Sequence, residues 1–371
     1  MKRILALVWF TTACLHPASL AADSTRGAKL FETLACIQCH SVNGKGGKVA
    51  PDLGQLVDRN FTPATLAATM WNHAPAMWAA MKDRDIQAGD LDEQGAADLF
   101  AYFYATRFFE RPGDAGRGKR VFTERCANCH GLTGSVRPLV KPVSQWGVLT
   151  DPVALAEAMW NHRSRMLEEA GDNRTRWPEL SAQDLGDVLV YLRNLPSAPR
   201  KPAVFTIGAG NDGEAAFTSD GCSGCHRSGS ALASRIKGQT LTEIAAAMWN
   251  HAPRMAAAGA KLVKLEPGEM RALLGYLWAE KFFEDSGNPV TGRRVFAAKH
   301  CASCHENPST GAPNLAGRSF SGVTMVSALW HHGPRMLNDM SAKGIAWPRF
   351  EGAQMSNLIA FMNSAKGPRG K

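Results

Sequence analysis

The feature that most constrains this chain is a five-residue motif, Cys-x-x-Cys-His, that occurs four times. The first cysteines of successive copies lie 90, 96 and 79 residues apart. A motif that recurs at such intervals indicates repeated domains. The sequence therefore predicts four domains, although 371 residues alone would suggest two or three. The motif residues are Cys36, Cys39 and His40; Cys126, Cys129 and His130; Cys222, Cys225 and His226; and Cys301, Cys304 and His305.

The spacing of this motif is the attachment pattern of c-type haem. Two thiols can add to the two vinyl groups of one macrocycle, and the adjacent histidine becomes the proximal ligand of the iron. A lone Cys-x-x-Cys pair would also suit a redox disulfide or half of a zinc site. Neither explains a histidine directly after every pair, so the motifs predict four covalently attached haems c.

Three further segments recur in each copy. Before the motif, a glycine precedes a phenylalanine by four residues and predicts a short amphipathic helix, as in Gly27 and Phe31. After it comes a signature of the form Trp-x-His-x-x-x-Met, and then an apolar last helix. Thr62 is a good N-cap and Pro63 a good first residue for the helix that carries the first signature.

Each copy resembles a class I cytochrome c domain. The resemblance rests on a helix that leads into the haem motif, a downstream methionine and an apolar last helix, and it covers residues 23–365. It implies an all-α fold of four tandem haem-centred domains. In that family a proline carbonyl orients the proximal histidine, which implies pairing of Pro51 with His40, of Pro313 with His305 and of Pro138 with His130. The third copy has no such proline.

The sixth ligand of each iron has two recurring candidates. The resemblance implies that methionine closes each site, and the alternative is the signature histidine four residues earlier. Methionine would raise the reduction potential, whereas a second imidazole would leave it lower. A proline between the two residues in three copies disfavours a continuous helix there. The methionines are Met77, Met166, Met255 and Met336, and the histidines are His73, His162, His251 and His332.

The copies also differ in a way that suggests a larger period. The second and fourth copies carry a Trp-Pro pair, at Trp177 and Trp347, that the other two lack. A stretch with three prolines in seven residues ends the second copy and predicts a stiff linker. We expect two duplicated two-domain units that fold separately. The predicted domains are residues 22–112, 113–202, 203–286 and 287–371.

The first 21 residues predict export. Lys2 and Arg3 precede an apolar stretch, and small residues end at Ala21, as in a secretory signal peptide. No later apolar run approaches the ~18 residues that a membrane-spanning helix needs, which leaves peripheral membrane association as the only kind we consider. The formal charge of +9 does not predict nucleic-acid binding, since four haems would bring roughly eight propionates.

Electron transfer is the function these features predict. If every copy supplies both axial ligands, no iron is open to substrate, and the chain has no nucleophile elbow, phosphate loop or dinucleotide fingerprint. We therefore expect a periplasmic electron carrier, or an electron-transfer subunit, that meets redox partner proteins. The alternative is a haem enzyme, similar to a peroxidase or to an oxidoreductase of small sulfur or nitrogen compounds, with one open haem.

Overall fold

Three main helices occur in the same order in each of the four repeats, where repeats 1 to 4 are the predicted domains given above. The structure is a computed structural model that describes residues 22–54, 61–107, 113–147, 149–173, 177–196, 205–208, 211–226, 232, 235–236, 239–282, 287–315 and 318–364. Its described residues are mostly helical, with one small antiparallel pair of strands, Ser41–Val42 and Lys45–Gly46. The all-α prediction is confirmed. The predicted signal peptide and residues 197–204 of the linker lie outside the described residues.

The first helix of each repeat leads into the haem motif. Its bounds in the four repeats are Ser24–Thr33, Ala115–Arg125, Asn211–Ser219 and Pro289–Ala298. The signature helices are Pro63–Asp83, Pro152–Asn173, Leu241–Ala257 and Gly322–Ala342. The last helices are Glu93–Arg107, Ala182–Arg193, Glu269–Phe282 and Gln354–Ser364.

The first and last helices of each repeat cross at the glycine that the sequence singled out. A Cβ atom placed on Gly27 would lie 2.0 Å from the carbonyl oxygen of Asp98, and one on Gly118 would lie 2.0 Å from that of Asp187. Repeats 3 and 4 show the same close approach at Gly213 and Gly292. The absence of a side chain is therefore what lets the two helices touch. The phenylalanine one turn later packs on an aromatic ring of the last helix, as Phe31 does on Tyr102.

In repeats 1 and 2 a buried carboxylate fixes this crossing. Asp98 accepts hydrogen bonds from Arg26 at 2.8 Å and from the backbone N–H of Asp23 at 2.7 Å. Asp187 accepts bonds of the same kind from Arg117 at 2.7 and 2.8 Å. A bidentate arginine fork of this kind is among the stronger charge-assisted hydrogen bonds.

The signature helix starts where the sequence predicts and ends later than it predicts. Thr62 caps the first one, with Pro63 as its first residue, and Thr65 completes a capping box. The helix then runs on through Pro75, and the equivalent helices run through Pro253 and Pro334. The predicted break at the proline is therefore wrong. Packing against a neighbouring signature helix offsets the backbone hydrogen bond that each proline removes.

The repeats do not pack in the order of the chain. The signature helix of repeat 1 packs on that of repeat 4, and the signature helix of repeat 2 packs on that of repeat 3. These interfaces therefore connect the two halves of the chain, residues 22–195 and 203–371, that the sequence predicts to fold separately. Within the part of the chain that the structure describes, no helix is both long and apolar enough to cross a membrane.

Candidate haem sites

All four Cys-x-x-Cys-His motifs adopt the same tight turn at the end of the first helix. The backbone N–H of the histidine donates to the carbonyl of the first cysteine in every copy, at 2.9 Å in repeats 1 and 2, 2.8 Å in repeat 3 and 3.0 Å in repeat 4. One turn of helix therefore brings both thiols and the imidazole together, as attachment of one macrocycle requires.

The first cysteine of each motif is half-buried, which disfavours ionisation of its thiol. Burial raises the pKa of Cys36, Cys126 and Cys301 to about 11, and it also raises the pKa of Cys222. All eight motif cysteines are unpaired with one another. The described residues contain no group of three or more His, Cys, Asp or Glu side chains that could hold a bare metal ion. This geometry suits thioether attachment better than a zinc site.

Two proximal histidines are oriented by proline carbonyls, as the resemblance implied. His40 Nδ1 donates to the carbonyl of Pro51 at 3.0 Å, and His305 Nδ1 donates to that of Pro313 at 2.9 Å. Because Nδ1 holds the proton in this bond, the lone pair lies on Nε2, which is then the nitrogen available to iron.

The other two motif histidines differ from this pattern. His130 Nδ1 is buried without a hydrogen-bond partner, so the predicted pairing with Pro138 is not observed. The ring lies edge-on to Trp146, with centroids 5.2 Å apart. Burial first, and His162 second, lower the pKa of His130, against a smaller opposing effect of the Lys141 carbonyl. Burial likewise lowers the pKa of His226.

In three repeats the signature histidine faces the motif histidine. The ring centroids of His40 and His73 lie 6.3 Å apart. The equivalent distances are 5.9 Å for His130 with His162 and 6.3 Å for His226 with His251. His73 Nδ1 donates to the carbonyl of Thr69 at 2.6 Å, so its Nε2 also carries a lone pair. His162 makes the same bond to Ala158 at 2.7 Å.

This separation fits one metal atom between two imidazoles. A metal–imidazole bond of about 2.0–2.1 Å, with about 1.2 Å more from each nitrogen to its ring centre, places two trans rings about 6.4 Å apart. Two imidazoles that face each other across this gap are a donor set for a haem iron, and in repeat 1 a backbone carbonyl holds the Nδ1 atom of each ring. The residues present therefore fit haem.

The candidate methionines lie one turn further along the same helices. Met77, Met255 and Met336 are half-buried and pack against the main hydrophobic core, and Met166 packs against a second cluster in repeat 2. Because the helices continue through the prolines, each methionine shares a helix face with the histidine four residues before it. The structure thus places both candidates on one helix face, and in repeats 1 to 3 it brings the histidine rings opposite the motif rings.

Repeat 4 is the exception among the four. His332 is exposed, and the described residues show no ring contact between it and His305. The preceding residue, His331, bonds through Nε2 to Asp90 of repeat 1 at 2.5 Å. The fourth site therefore shows the motif histidine and its proline, without a facing imidazole.

Sequence reasoning missed what the other signature residues do. The residue just before the signature histidine is asparagine in three copies, and its side chain binds the backbone of another repeat, as Asn72 binds Phe350. The recurring asparagine was visible in the sequence, because it stands directly before the signature histidine in three copies. Its partner was not, because 278 residues separate the two.

A buried cation distinguishes repeat 2. Arg163 stands where the other copies have Ala74, Ala252 and Gly333, and only 2% of it is exposed. Its guanidinium covers the ring of Trp160 at 3.9 Å and donates to the carbonyl of Val263 at 2.9 Å. Burial lowers its pKa to about 10, which leaves it charged at neutral pH. The described residues place no carboxylate against it.

Comparison with known families agrees with these sites. The family model for cytochrome c matches residues 24–105 and 115–196, which are repeats 1 and 2. The model for cytochrome c oxidase, cbb3-type, subunit III matches residues 287–362, in repeat 4. No solved structure matches the chain. The matches support cytochrome c domains in repeats 1, 2 and 4, and with them a multi-haem c-type cytochrome that transfers electrons.

Proposed function

We propose that this protein is a periplasmic tetrahaem cytochrome that passes electrons between redox partner proteins. The observation that carries the proposal is the set of facing histidine pairs, which give repeats 1 to 3 two axial nitrogens each. Bound haem c would supply reversible one-electron chemistry at iron. Four motifs with the same backbone turn support a count of four.

The chain's own residues would then hold, orient and tune the cofactor. The motif cysteines would carry the thioether bonds, and the histidine pairs would bind iron through Nε2. The carbonyls of Pro51 and Thr69 hold the two rings of site 1 in place and raise the basicity of the bound nitrogens. Two imidazoles would set lower potentials than a histidine and a methionine.

The sixth ligand of each iron has two competing assignments, and one pair of variants distinguishes them. We propose His73, His162 and His251 as distal ligands of the first three sites. Met77, Met166 and Met255 are the competing assignment. In repeat 4 the competition is between His332 and Met336, and there the exposed histidine gives the methionine its strongest case.

Low-temperature EPR and near-infrared MCD of the oxidised holoprotein test both the electron-carrier function and the histidine assignment of the sixth ligands. Three bis-histidine signals are expected in the wild type, and His73→Gly should abolish one of them. Met77→Leu, one turn along the same helix, is the matched control and should leave the spectrum unchanged. Methionine-to-iron charge-transfer bands from repeats 1 to 3 would overturn the histidine assignment.

The same measurement addresses the enzyme alternative. A stoichiometric high-spin haem would show an iron open to substrate, and the electron-carrier proposal would then fail. A haem count below four in the mass of the denatured protein would reject the tetrahaem proposal separately.

A further inference from the structure

Repeats 1 and 4 share a reciprocal interface, here the 1–4 seam. Asn72 donates through Nδ2 to the carbonyl of Phe350 at 2.8 Å and accepts from its N–H at 2.7 Å. The exchange runs in the other direction too, since Trp330 donates to the carbonyl of Gly89 at 2.6 Å. Each signature helix is therefore hydrogen-bonded to the loop that precedes the last helix of the partner repeat.

Repeats 2 and 3 form the same kind of interface, here the 2–3 seam. Asn161 makes paired bonds with the backbone of Leu265 at 2.9 and 2.8 Å. Asn250 makes them with Leu180 at 2.9 Å each. An ion pair between Arg271 and the buried Asp151, at 2.6 Å, crosses the same seam.

The Trp-Pro pair of the even repeats belongs to these seams. Trp177 stacks on Trp249 with centroids 4.3 Å apart, and Trp347 stacks on Trp71 at 5.5 Å. Each of these even-repeat indoles donates to the backbone carbonyl of the tryptophan it covers, at 3.2 and 2.8 Å. Each seam therefore joins one even and one odd repeat, and the two partners differ in sequence for that reason.

A third contact, the 1–3 seam, joins the two pairs through their odd members. Phe100 of repeat 1 stacks on Trp278 of repeat 3 at 5.7 Å and 6° between planes. Both rings are essentially inaccessible, at 0% and 1% exposure. Ser24 and Ile207 exchange hydrogen bonds at 2.8 and 2.9 Å beside them.

From these three seams we infer that the haems form an electron path in the order 2–3–1–4, with the outer positions at repeats 2 and 4. This inference rests on the proposed function. Electron transfer between haems falls steeply with distance, so contact between repeats decides the sequence of transfers. Repeat 1, which comes first in the mature chain, is then an interior position, and repeat 2 exchanges electrons with an external partner.

The signature helix makes the seams suitable for this task. His73 lies two residues after Trp71 and next to Asn72, so one helix supplies both a haem ligand and the contacts of the 1–4 seam. His162 follows Asn161 in the same way at the 2–3 seam. Neighbouring sites within each pair are thus joined through two packed ligand-bearing helices.

Haem deletion in the full-length protein tests the order. The variants are Cys36→Ala with Cys39→Ala, which removes haem 1, and Cys126→Ala with Cys129→Ala, which removes haem 2. Redox titration followed by EPR counts how many of the remaining haems change their signal or potential. The proposed order expects two changes when haem 1 is lost, at haems 3 and 4, and one change when haem 2 is lost.

An order that follows the chain expects the reverse, one change and then two, and that result would overturn the inference. Equal numbers would overturn it as well. In either case four haems and bis-histidine spectra would leave the proposed function standing, so the two failures are distinguishable.

Cross-linking mass spectrometry of the wild-type holoprotein decides the matter if a deletion variant does not accumulate. The inferred order requires cross-links between residues 61–107 and 318–364. A chain-order array places these segments at opposite ends, so the absence of such cross-links in a sample rich in others would reject the 2–3–1–4 order.

Discussion

Replacing Asn161 by alanine should weaken the 2–3 seam without touching the haem motif. The change removes two hydrogen bonds, at 2.9 and 2.8 Å, and leaves the N–H and C=O of the buried Leu265 unpaired. A net loss of about 0.5–1.5 kcal/mol per bond, increased by desolvation of the orphaned groups, predicts about 2–4 kcal/mol in total. For a cooperative unit of two repeats this corresponds to a fall in Tm of roughly 4–16 °C.

Calorimetry of the oxidised holoprotein, with haem content checked first, measures this effect. Ser164→Ala is the matched control because Ser164 is an exposed residue of the same helix, and its effect should stay within about 0.5 kcal/mol. If Asn161→Ala, fully loaded with haem, is no less stable than Ser164→Ala, the paired bonds do not hold the repeats together and the reasoning about the seams is refuted.

Three other outcomes are expected. Gly118→Ala should destabilise the protein by about 3 kcal/mol or more, since its Cβ would lie 2.0 Å from a carbonyl oxygen. Gly186→Ala, whose Cβ meets nothing within 4 Å, should stabilise the protein by about 0.5–1 kcal/mol. Denaturant titration measures both free energies of unfolding. Arg163→Met should lower one haem potential in a redox titration, because it removes a buried positive charge directly after His162 and so stabilises the oxidised haem. The exposed Arg165→Met should change none. Burial alone would raise the pKa of Asp187, but Arg117 and backbone hydrogen bonds lower it overall. The carboxylate therefore contributes stability above about pH 4, and this contribution is lost as pH falls through the lower, folded-state pKa. Asp187→Asn should flatten that part of the curve of stability against pH, and an unchanged acid transition would contradict this.

Much of each repeat could be predicted from the sequence because the informative residues are local. The haem motif and the cap at Thr62 depend on neighbours within one helix or turn, whereas the glycine pattern predicted the first helix but not its crossing with the last one. The pairing of Pro51 with His40 also spans only 11 residues. The motif and the cap follow from spacing and backbone geometry, and the pairing of Pro51 follows from the resemblance to class I cytochrome c domains.

The arrangement of the repeats could not be predicted, because it depends on contacts between distant residues. Asn72 and Phe350 are 278 residues apart, and nothing in either local sequence identifies the other. The Trp-Pro pair marks the even repeats in the sequence, but nothing near Trp347 indicates that its ring covers Trp71 across the 1–4 seam. The proline in the signature helix also misled prediction, since local propensity predicts a break that tertiary packing overrides.

The 1–4 seam has a consequence for how the protein matures. Repeat 1 is synthesised before repeats 2, 3 and 4, and its interface partner is repeat 4, so Trp71 and Asn72 have no counterpart until repeat 4 arrives. Domains generally fold as units from the N-terminus, and contacts of such long sequence separation form late. The apolar surface of repeat 1 around Trp71 therefore stays uncovered until repeat 4 has been made, and closure of the 1–4 seam is a late step of folding.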